Sequence, residues 1–312
     1  VDYKGVTESA KYISIAQNWL GYSFSETSDE FQRLPLYPLL ISFIFKIFGH
    51  DNLIALLILQ SFLGVLTFLY LIKTLEKIGL GNNLIILLTL LFNLNIIYRF
   101  SVFLPNALFL FLITIFIYNF TCFYLFKNKK YFYIMSFFIF LMLLTRPIFQ
   151  LSLVLTFPII IYFILKQYFS KIVKIKLILI LITTYILGVG VQYTRNYVEY
   201  GNFTYTTQSG THLSLWLIPC LTQKYGCGSR NMEVHDYINN KWQKKISNKN
   251  YSEVEKYQVL SDIGIDYLIN EMDKNKALIS IFFSYSKLLF HTSLTEIYPK
   301  FQIKFKNFSS LE

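Results

Sequence analysis

Charged side chains are scarce in this chain: Asp, Glu, Lys and Arg make up 15% of its 312 residues, whereas 54% are hydrophobic and 19% are aromatic. A soluble domain usually devotes about a quarter of its residues to these four types, so this composition cannot cover a water-facing surface. The apolar residues also come in long blocks, unlike the short alternating runs of an outer-membrane barrel. The sequence therefore predicts a helical membrane protein.

Cysteine is rare too, and the three residues present are too few for a disulfide scaffold. Cys220 and Cys227 share a polar segment and can pair if that segment faces an oxidising compartment, whereas Cys122 lies in an apolar run and is expected to pack in the core. The sequence has no phosphate-binding loop, no HExxH zinc motif and no GxSxG elbow. We predict no cofactor and no metal site, and the motifs leave dependence on a divalent metal open.

The positive charge lies beside the apolar blocks. The formal net charge is +11, but the lysines form short clusters that indicate membrane orientation and contact with lipids, not binding of nucleic acid. Lysines in short connections are retained in the cytoplasm. The connections that carry them contain Lys73 and Lys77; Lys127, Lys129 and Lys130; and Lys166, Lys171, Lys174 and Lys176. Their alternation predicts that residues 1–52 and 195–277 lie together on the non-cytoplasmic side.

Seven segments are predicted to cross the membrane, which needs about 20 apolar residues per helix. The long ones are 53–72, 103–126, 147–165 and 177–193; the short ones are 84–98 and 131–145, and 278–292 is marginal. The predicted fold class is an all-α polytopic membrane protein with small extracytoplasmic helices.

Four regions follow from this topology. Residues 1–52 form an extracytoplasmic first loop with an interfacial helix, 53–194 a transmembrane helix bundle, 195–277 an extracytoplasmic loop and 278–312 a further membrane-associated segment. Thr7 is expected to start a helix that ends before Gly21, and apolar residues at three-four spacing between Pro35 and Gly49 predict the interfacial helix. Ser252 and Glu255 match a helix capping box.

Polar residues suited to chemistry collect on the predicted outer side. Glu8, Asp29, Glu30 and Arg33 precede the interfacial helix, and Arg99, Arg146 and Arg195 each stand at the end of a span. Such arginines suit an anionic head group, for example a lipid-linked phosphate. Arginines that only reach toward the interface, or that pair with carboxylates, give the same pattern.

The order of three sequence elements resembles the GT-C superfamily. Glu8-x-x-x-Tyr12-x-x-x-Ala16 precedes FQRLPLYPLLISFIFKIFG, then LLTRPIF, then TRNYVEYGNFTYTTQSGTHL. Over nearly its whole length the chain resembles the protein O-mannosyltransferase-like and aminoarabinose-transferase-like enzymes. The resemblance implies an inverting hexosyl- or pentosyltransferase that moves a sugar from a polyprenyl-phosphate donor to a lipid, glycan or protein acceptor. It also implies a bacterial cytoplasmic membrane with the active site facing outward, and a chain trimmed at both ends.

The resemblance, together with the outer position of the polar residues and the chemistry of a phosphate leaving group, suggests roles for individual residues. Glu8 takes the position of the family's first-loop carboxylate, which is usually Asp, and is the expected catalytic base; Asp29 and Glu30 are the alternative acids. Arg146 and Arg195 are expected to bind the donor phosphate. The expected substrate pocket contains Tyr12, Arg33, Tyr37 and Asn196. Asn106 stands where many such enzymes carry a second acid.

Two other classes of function fit the sequence. A transporter or flippase would use the same arginines to line a path for an anionic lipid, although transporters usually place polar groups near the midplane in repeated halves. A non-catalytic assembly subunit would use the outer segments as docking surfaces. Loss of activity on replacing Glu8, with folding intact, separates the enzyme from both.

Overall fold

A computed structural model describes residues 7–21, 33–81, 100, 102–201, 203–206, 208–223, 231–247 and 249–281. These residues form helices and turns, and none of them lies in a strand. The α-helices are α1 (Thr7–Trp19), α2 (Leu36–Phe48), α3 (Leu53–Lys77), α4 (Asn106–Phe126), α5 (Lys129–Leu143), α6 (Ser152–Lys166), α7 (Lys171–Tyr200), α8 (Gln208–Thr211), α9 (Ile218–Leu221), α10 (Met232–Ser247) and α11 (Glu253–Asp266). A 3-10 helix (Pro147–Leu151) precedes α6, and π-helices follow α8 (His212–Leu217) and α11 (Tyr267–Glu271).

Three described helices, α3, α4 and α7, are long and apolar enough to cross a membrane. The 21 residues of α4 extend about 32 Å, which matches a hydrocarbon core of about 30 Å. They coincide with the predicted spans 53–72, 103–126 and 177–193. The predicted span 84–98 and most of 278–292 lie outside the described residues.

The predicted span 147–165 is not one α-helix, and this prediction needs correction. Arg146 is extended at φ −139° and the first turn is a 3-10 helix, so that α6 begins only at Ser152. Proline fixes its own φ and disfavours helical geometry in the residue before it, which accounts for the break at Arg146–Pro147. The helix α6 and the helix α5, at the predicted span 131–145, each have 15 residues, about 22 Å, which is shorter than the hydrocarbon core.

The exposed face of α3 is suited to contact with a lipid bilayer. One stripe at helical spacing is exposed and, apart from Ser61, apolar: its apolar residues are Ile54, Ile58, Phe62, Val65 and Leu69. The opposite face is buried against α2 and α4. A mainly apolar stripe of this length is unfavourable in water and fits lipid tails. The described helices therefore indicate membrane integration.

The core of the bundle is built on α5, which packs against α4 and α7. Phe132, Met135, Ile139 and Met142 are fully buried on its inner face. Cys122 of α4 is buried in the same core as a free thiol, which confirms its predicted packing role.

Helix direction gives the bundle two chemically different ends. The start of α4, the end of α5 and the end of α7 meet at one end, which we call the arginine end because it holds Arg146 and Arg195. The end of α3 meets the end of α4 at the other, where Lys77 lies over the Phe126 ring, and we call this the lysine end.

The N-terminal helices pack on the arginine end as a pair. The Ser42 hydroxyl of α2 donates a hydrogen bond to the Ala16 carbonyl of α1 at 3.2 Å. As predicted, α2 follows Pro35 and ends before Gly49, whose φ of 100° favours glycine. Its outer stripe of Leu39, Phe43 and Ile47 is exposed, as in an interfacial helix.

The C-terminal helices form a second small core around Ile218, Ile238, Leu260 and Ile263. Both hydrogen bonds of the predicted capping box are present at the start of α11, with Ser252 as N-cap and Glu255 as its partner. Burial of four aliphatic residues between α9, α10 and α11 holds this group together.

Gly264 of α11 is expected to be irreplaceable, because a Cβ there would overlap the Ser214 Oγ and lie 3.2 Å from the Ser214 Cα. We expect Gly264→Ala to lower the free energy of unfolding by about 1–3 kcal/mol through overpacking. A Cβ on Gly190 of α7 would meet nothing within 4 Å, so Gly190→Ala is the matched control and is expected to be neutral or slightly stabilising. Thermal unfolding in detergent measures both, and equal effects would contradict the close contact.

Candidate functional site

Polar residues from five separate segments meet at the arginine end. Glu8 and Tyr12 come from α1, Arg33 from the turn before α2, and Arg195 from the last turns of α7. Arg146 and His212 complete the group, because Arg146 acts electrostatically on Tyr12, and both Arg33 and Arg146 act on His212. Most of these residues were predicted as site residues from the sequence.

The centre of the group is the ion pair between Glu8 and Arg33. The Arg33 NH2 lies 2.5 Å from Glu8 Oε2, with the arginine side chain 3% exposed and the glutamate side chain 48% exposed. Arg33 also lies over the Tyr12 ring, 5.3 Å from its centroid. A buried guanidinium without a counter-charge is strongly destabilising, so Glu8 stabilises the burial of Arg33. Glu8 is at once anchored and open to solvent.

Two tyrosines pack beside the Glu8–Arg33 ion pair: Tyr12 contacts Arg33, and Tyr37 contacts Tyr12. Tyr12 and Tyr37 pack edge to face at 5.3 Å, and Gln60 of α3 donates to the Tyr37 hydroxyl at 2.8 Å. Burial raises the pKa of Tyr12, which Arg33 and Arg146 oppose, and burial raises the pKa of Tyr37 well above its ordinary value. Both phenols therefore stay protonated at neutral pH. Tyr37, predicted to line the pocket, is wholly buried and positions Tyr12 instead of facing solvent.

Arg146 is placed by the break between α5 and α6. Its extended backbone directs the chain into the Pro147 turn, and its guanidinium donates a hydrogen bond to the side-chain amide oxygen (Oδ1) of Asn106 at the start of α4. The side chain is partly buried. Asn106, where the resembled enzymes often carry an acid, thus serves as an uncharged acceptor for Arg146.

Arg195 bridges three parts of the site. Its Nε donates to Glu199 at 3.0 Å, its NH1 donates to the Arg33 carbonyl at 3.5 Å, and its guanidinium lies 5.9 Å from the centre of the Trp19 ring. The neighbouring Asn196, predicted as a pocket residue, is 2% exposed.

The Asn196 amide is occupied by protein groups. It donates to the carbonyls of Thr204 and Tyr205 at 2.7 and 3.1 Å, and it accepts from Gln192 at 3.2 Å. The geometry gives Asn196 the task of fixing the turn after α7, next to Gly201 with its φ of 67°.

His212 is the site residue that the sequence did not reveal. It opens the π-helix, with its ring 6.3 Å from that of Trp216. The residue is exposed at the surface, yet the surrounding protein removes enough water to lower the pKa of His212, and Arg33 and Arg146 lower it further while Glu8 raises it. Nothing in the local sequence marks this histidine, because only the tertiary fold brings it to Arg33.

Several buried polar atoms near the site have no hydrogen-bond partner in the described part of the chain. They include Ser9 Oγ, Arg33 Nε and Thr211 Oγ1. Ser9 is next to Glu8 in the sequence, Thr211 is next to His212, and Arg33 belongs to the Glu8–Arg33 ion pair. Buried polar groups are nearly always satisfied, so these atoms point to a polar ligand or ordered water at the arginine end.

Other predicted features fall outside what the structure tests. Asp29, Glu30 and Cys227 lie outside the described residues. Cys220 forms a disulfide bond, and the Cys220–Cys227 pairing stays a prediction. Among the described residues no group of three His, Cys, Asp or Glu side chains is suited to hold a metal ion.

Comparison with known proteins finds no matching family model, no similar curated protein and no similar solved structure. The functional assignment therefore rests on the residues and geometry of the chain itself.

The lowered pKa of His212 predicts a pH-dependent stability. Below about pH 6.5 the unfolded chain binds a proton at this residue more readily than the folded chain does. The free energy of unfolding therefore decreases as the pH is lowered. The loss ends below the folded pKa, and above about pH 6.5 the residue contributes nothing. We expect the wild type to lose more thermal stability than His212→Gln between about pH 7.5 and about pH 5.5. Equal losses would show that the histidine is not desolvated.

Proposed function

We propose that this chain is an inverting GT-C-type glycosyltransferase of a bacterial cytoplasmic membrane. It transfers a hexosyl or pentosyl group from a polyprenyl-phosphate donor to a lipid, glycan or protein acceptor at the arginine end, which faces away from the cytoplasm. The observation that carries the proposal is the meeting of Glu8, Arg33, Arg146 and Arg195 from distant segments at one end of an apolar bundle.

The chemistry requires few protein groups. A glycosyl phosphate already has a good leaving group, so the enzyme needs a base for the acceptor hydroxyl and cations for the departing phosphate. The acceptor oxygen forms a bond to the anomeric carbon and gives its proton to the base. The bond between that carbon and the phosphate oxygen breaks on the opposite face, and its electron pair leaves with the phosphate.

Glu8 suits the role of base by its position. The contact with Arg33 uses only Oε2, which leaves Oε1 to accept a proton on the half-exposed side. Arg33 holds the carboxylate in one orientation, and Tyr12 in turn holds Arg33. Preorganised groups of this kind lose little entropy when the reaction begins.

Arg146 and Arg195 suit the donor phosphate. Both are arginines of the arginine end, and both side chains are at least partly buried, where a charge-assisted hydrogen bond is stronger than in water. Asn106 and Glu199 hold their guanidinium groups in place. A planar guanidinium can bind two phosphate oxygens at once as the sugar leaves.

Replacement of Glu8 tests the base. We expect Glu8→Gln to lower transfer by roughly a hundredfold or more while donor binding stays nearly intact, because the amide cannot accept the proton. Glu8→Asp keeps the carboxylate and is expected to retain part of the activity. Mass spectrometry of cell-envelope glycans and glycolipids from cells expressing each variant measures the product, whichever sugar is transferred.

The matched control is Glu233→Gln, which removes an acid from the first turn of α10, far from the site in sequence. Thermal unfolding of each variant checks that Arg33 remains folded into the protein without its partner. If Glu8→Gln keeps near-normal transfer while Asp29→Asn or Glu30→Gln abolishes it, the base is another carboxylate. Normal products in all of these variants would favour a transporter or an assembly subunit.

Conservative replacement of the arginines tests the phosphate site. Arg146→Lys and Arg195→Lys keep the charge but lose the bidentate geometry, so we expect kcat/KM for the donor to fall about tenfold or more in each. The acceptor KM is expected to change little. Donor kinetics that stay unchanged in both variants would show that these arginines contact other protein groups and not the donor phosphate.

A further inference from the structure

A groove lies at the lysine end, on the far side of the bundle from Glu8. It has a volume of about 520 Å³ and is formed by the end of α3, the end of α4 and the side of α6. Its lining residues are Lys77, Ile78, Phe120, Thr121, Tyr124, Leu125 and Phe163. The volume falls within the usual range of small-ligand sites.

The walls of the groove are aromatic and well packed. The Phe163 ring packs edge to face with Phe120 at 5.3 Å and with Tyr124 at 5.2 Å. Leu165 and Leu125, on the helices that form the groove, are exposed on the outer surface of the bundle. The groove is therefore continuous with a surface that suits lipid tails, and its apolar walls suit an acyl chain.

Lys77 lines this groove, and Lys127 and Lys166 follow its lining residues Leu125 and Phe163 by two and three residues; each of the three lysines lies over an aromatic ring. The Lys77 Nζ lies 5.4 Å from the centre of the Phe126 ring, and Lys127 and Lys166 lie 4.6 and 5.6 Å from those of Tyr168 and Tyr162. Residues 66–81, 120–131 and 160–176 contain nine lysines and a single acid, Glu76. This imbalance favours an anion beside the groove.

We infer that the groove binds one anionic phospholipid, with an acyl chain along Phe120, Tyr124 and Phe163 and the head-group phosphate at Lys77. A zwitterionic lipid fills the apolar walls but brings no net charge to the lysines. A free phosphate ion meets the charge but leaves the aromatic walls in water. An anionic lipid satisfies both, and each lysine near such a head group contributes about 1 kcal/mol. The inference does not depend on the proposed glycosyl transfer.

Native mass spectrometry of the intact chain tests this site. The protein is reconstituted in vesicles of phosphatidylcholine with about a fifth phosphatidylglycerol, and the lipids retained on release are identified. We expect one phosphatidylglycerol molecule to be retained in preference to phosphatidylcholine. Lys77→Gln is expected to weaken its retention about fivefold, which corresponds to the loss of one lysine contact. Thr121→Trp fills the groove and is expected to abolish retention by removing space for the chain.

Lys129→Gln is the matched control, because Lys129 begins α5 at the same end but does not line the groove. Equal weakening by Lys129→Gln would reduce the effect to general surface charge and overturn the site. Equal retention of phosphatidylcholine, or displacement of the lipid by inorganic phosphate, would also overturn it. A wild-type protein that proves to be a dimer and a Thr121→Trp variant that is monomeric would overturn it as well, since the groove would then hold a second copy of the chain.

Discussion

The burial of Arg33 is the constraint on which the arginine end depends. Its guanidinium is almost fully enclosed, and a charge in that position requires a counter-charge and hydrogen bonds to be tolerated. Glu8 supplies the counter-charge and Tyr12 supplies a ring face, so α1 can dock only where both reach the arginine. The position of α1 is therefore set by Arg33, a charged residue that lies 14 residues after the end of the helix.

The backbone around Arg33 then fixes the neighbouring arginines. The Arg33 carbonyl accepts from Arg195, and the Leu36 amide donates to the Leu144 carbonyl at 3.1 Å, two residues before Arg146. One short segment thus joins the ends of α5 and α7 to the first loop. Proximity of these cations is costly unless groups such as Asn106 and Glu199 hold them, and each has such a partner.

Local sequence signals predicted the helices well because their causes are local. Apolar blocks placed α3, α4 and α7, the Ser252–Glu255 capping box placed the start of α11, and Gly49 placed the end of α2. The proline at position 147 indicates the 3-10 turn, but the span 147–165 was predicted from its run of apolar residues, which does not reveal that turn. The pairing of Arg146 with Asn106 and the arrival of His212 could not be predicted, since they depend on how helices far apart in sequence pack together. For the same reason the sequence could not show that Tyr37 and Asn196 are buried and bonded to protein groups, and their place in a substrate pocket stays a prediction.

The two ends of the bundle use different cations for a physical reason. A guanidinium is more weakly hydrated than an ammonium group and presents several donors in a fixed plane, so it tolerates burial and holds partners in defined directions. An ammonium group is strongly hydrated and stays near water while its stem packs on apolar surface. Among the described residues, Arg33 and Arg195 are largely enclosed and hydrogen-bonded, whereas Lys77 and Lys127 are exposed over aromatic rings. The chemistry of the arginine end therefore suits fixed, directional contacts, and that of the lysine end suits contact with a charged surface.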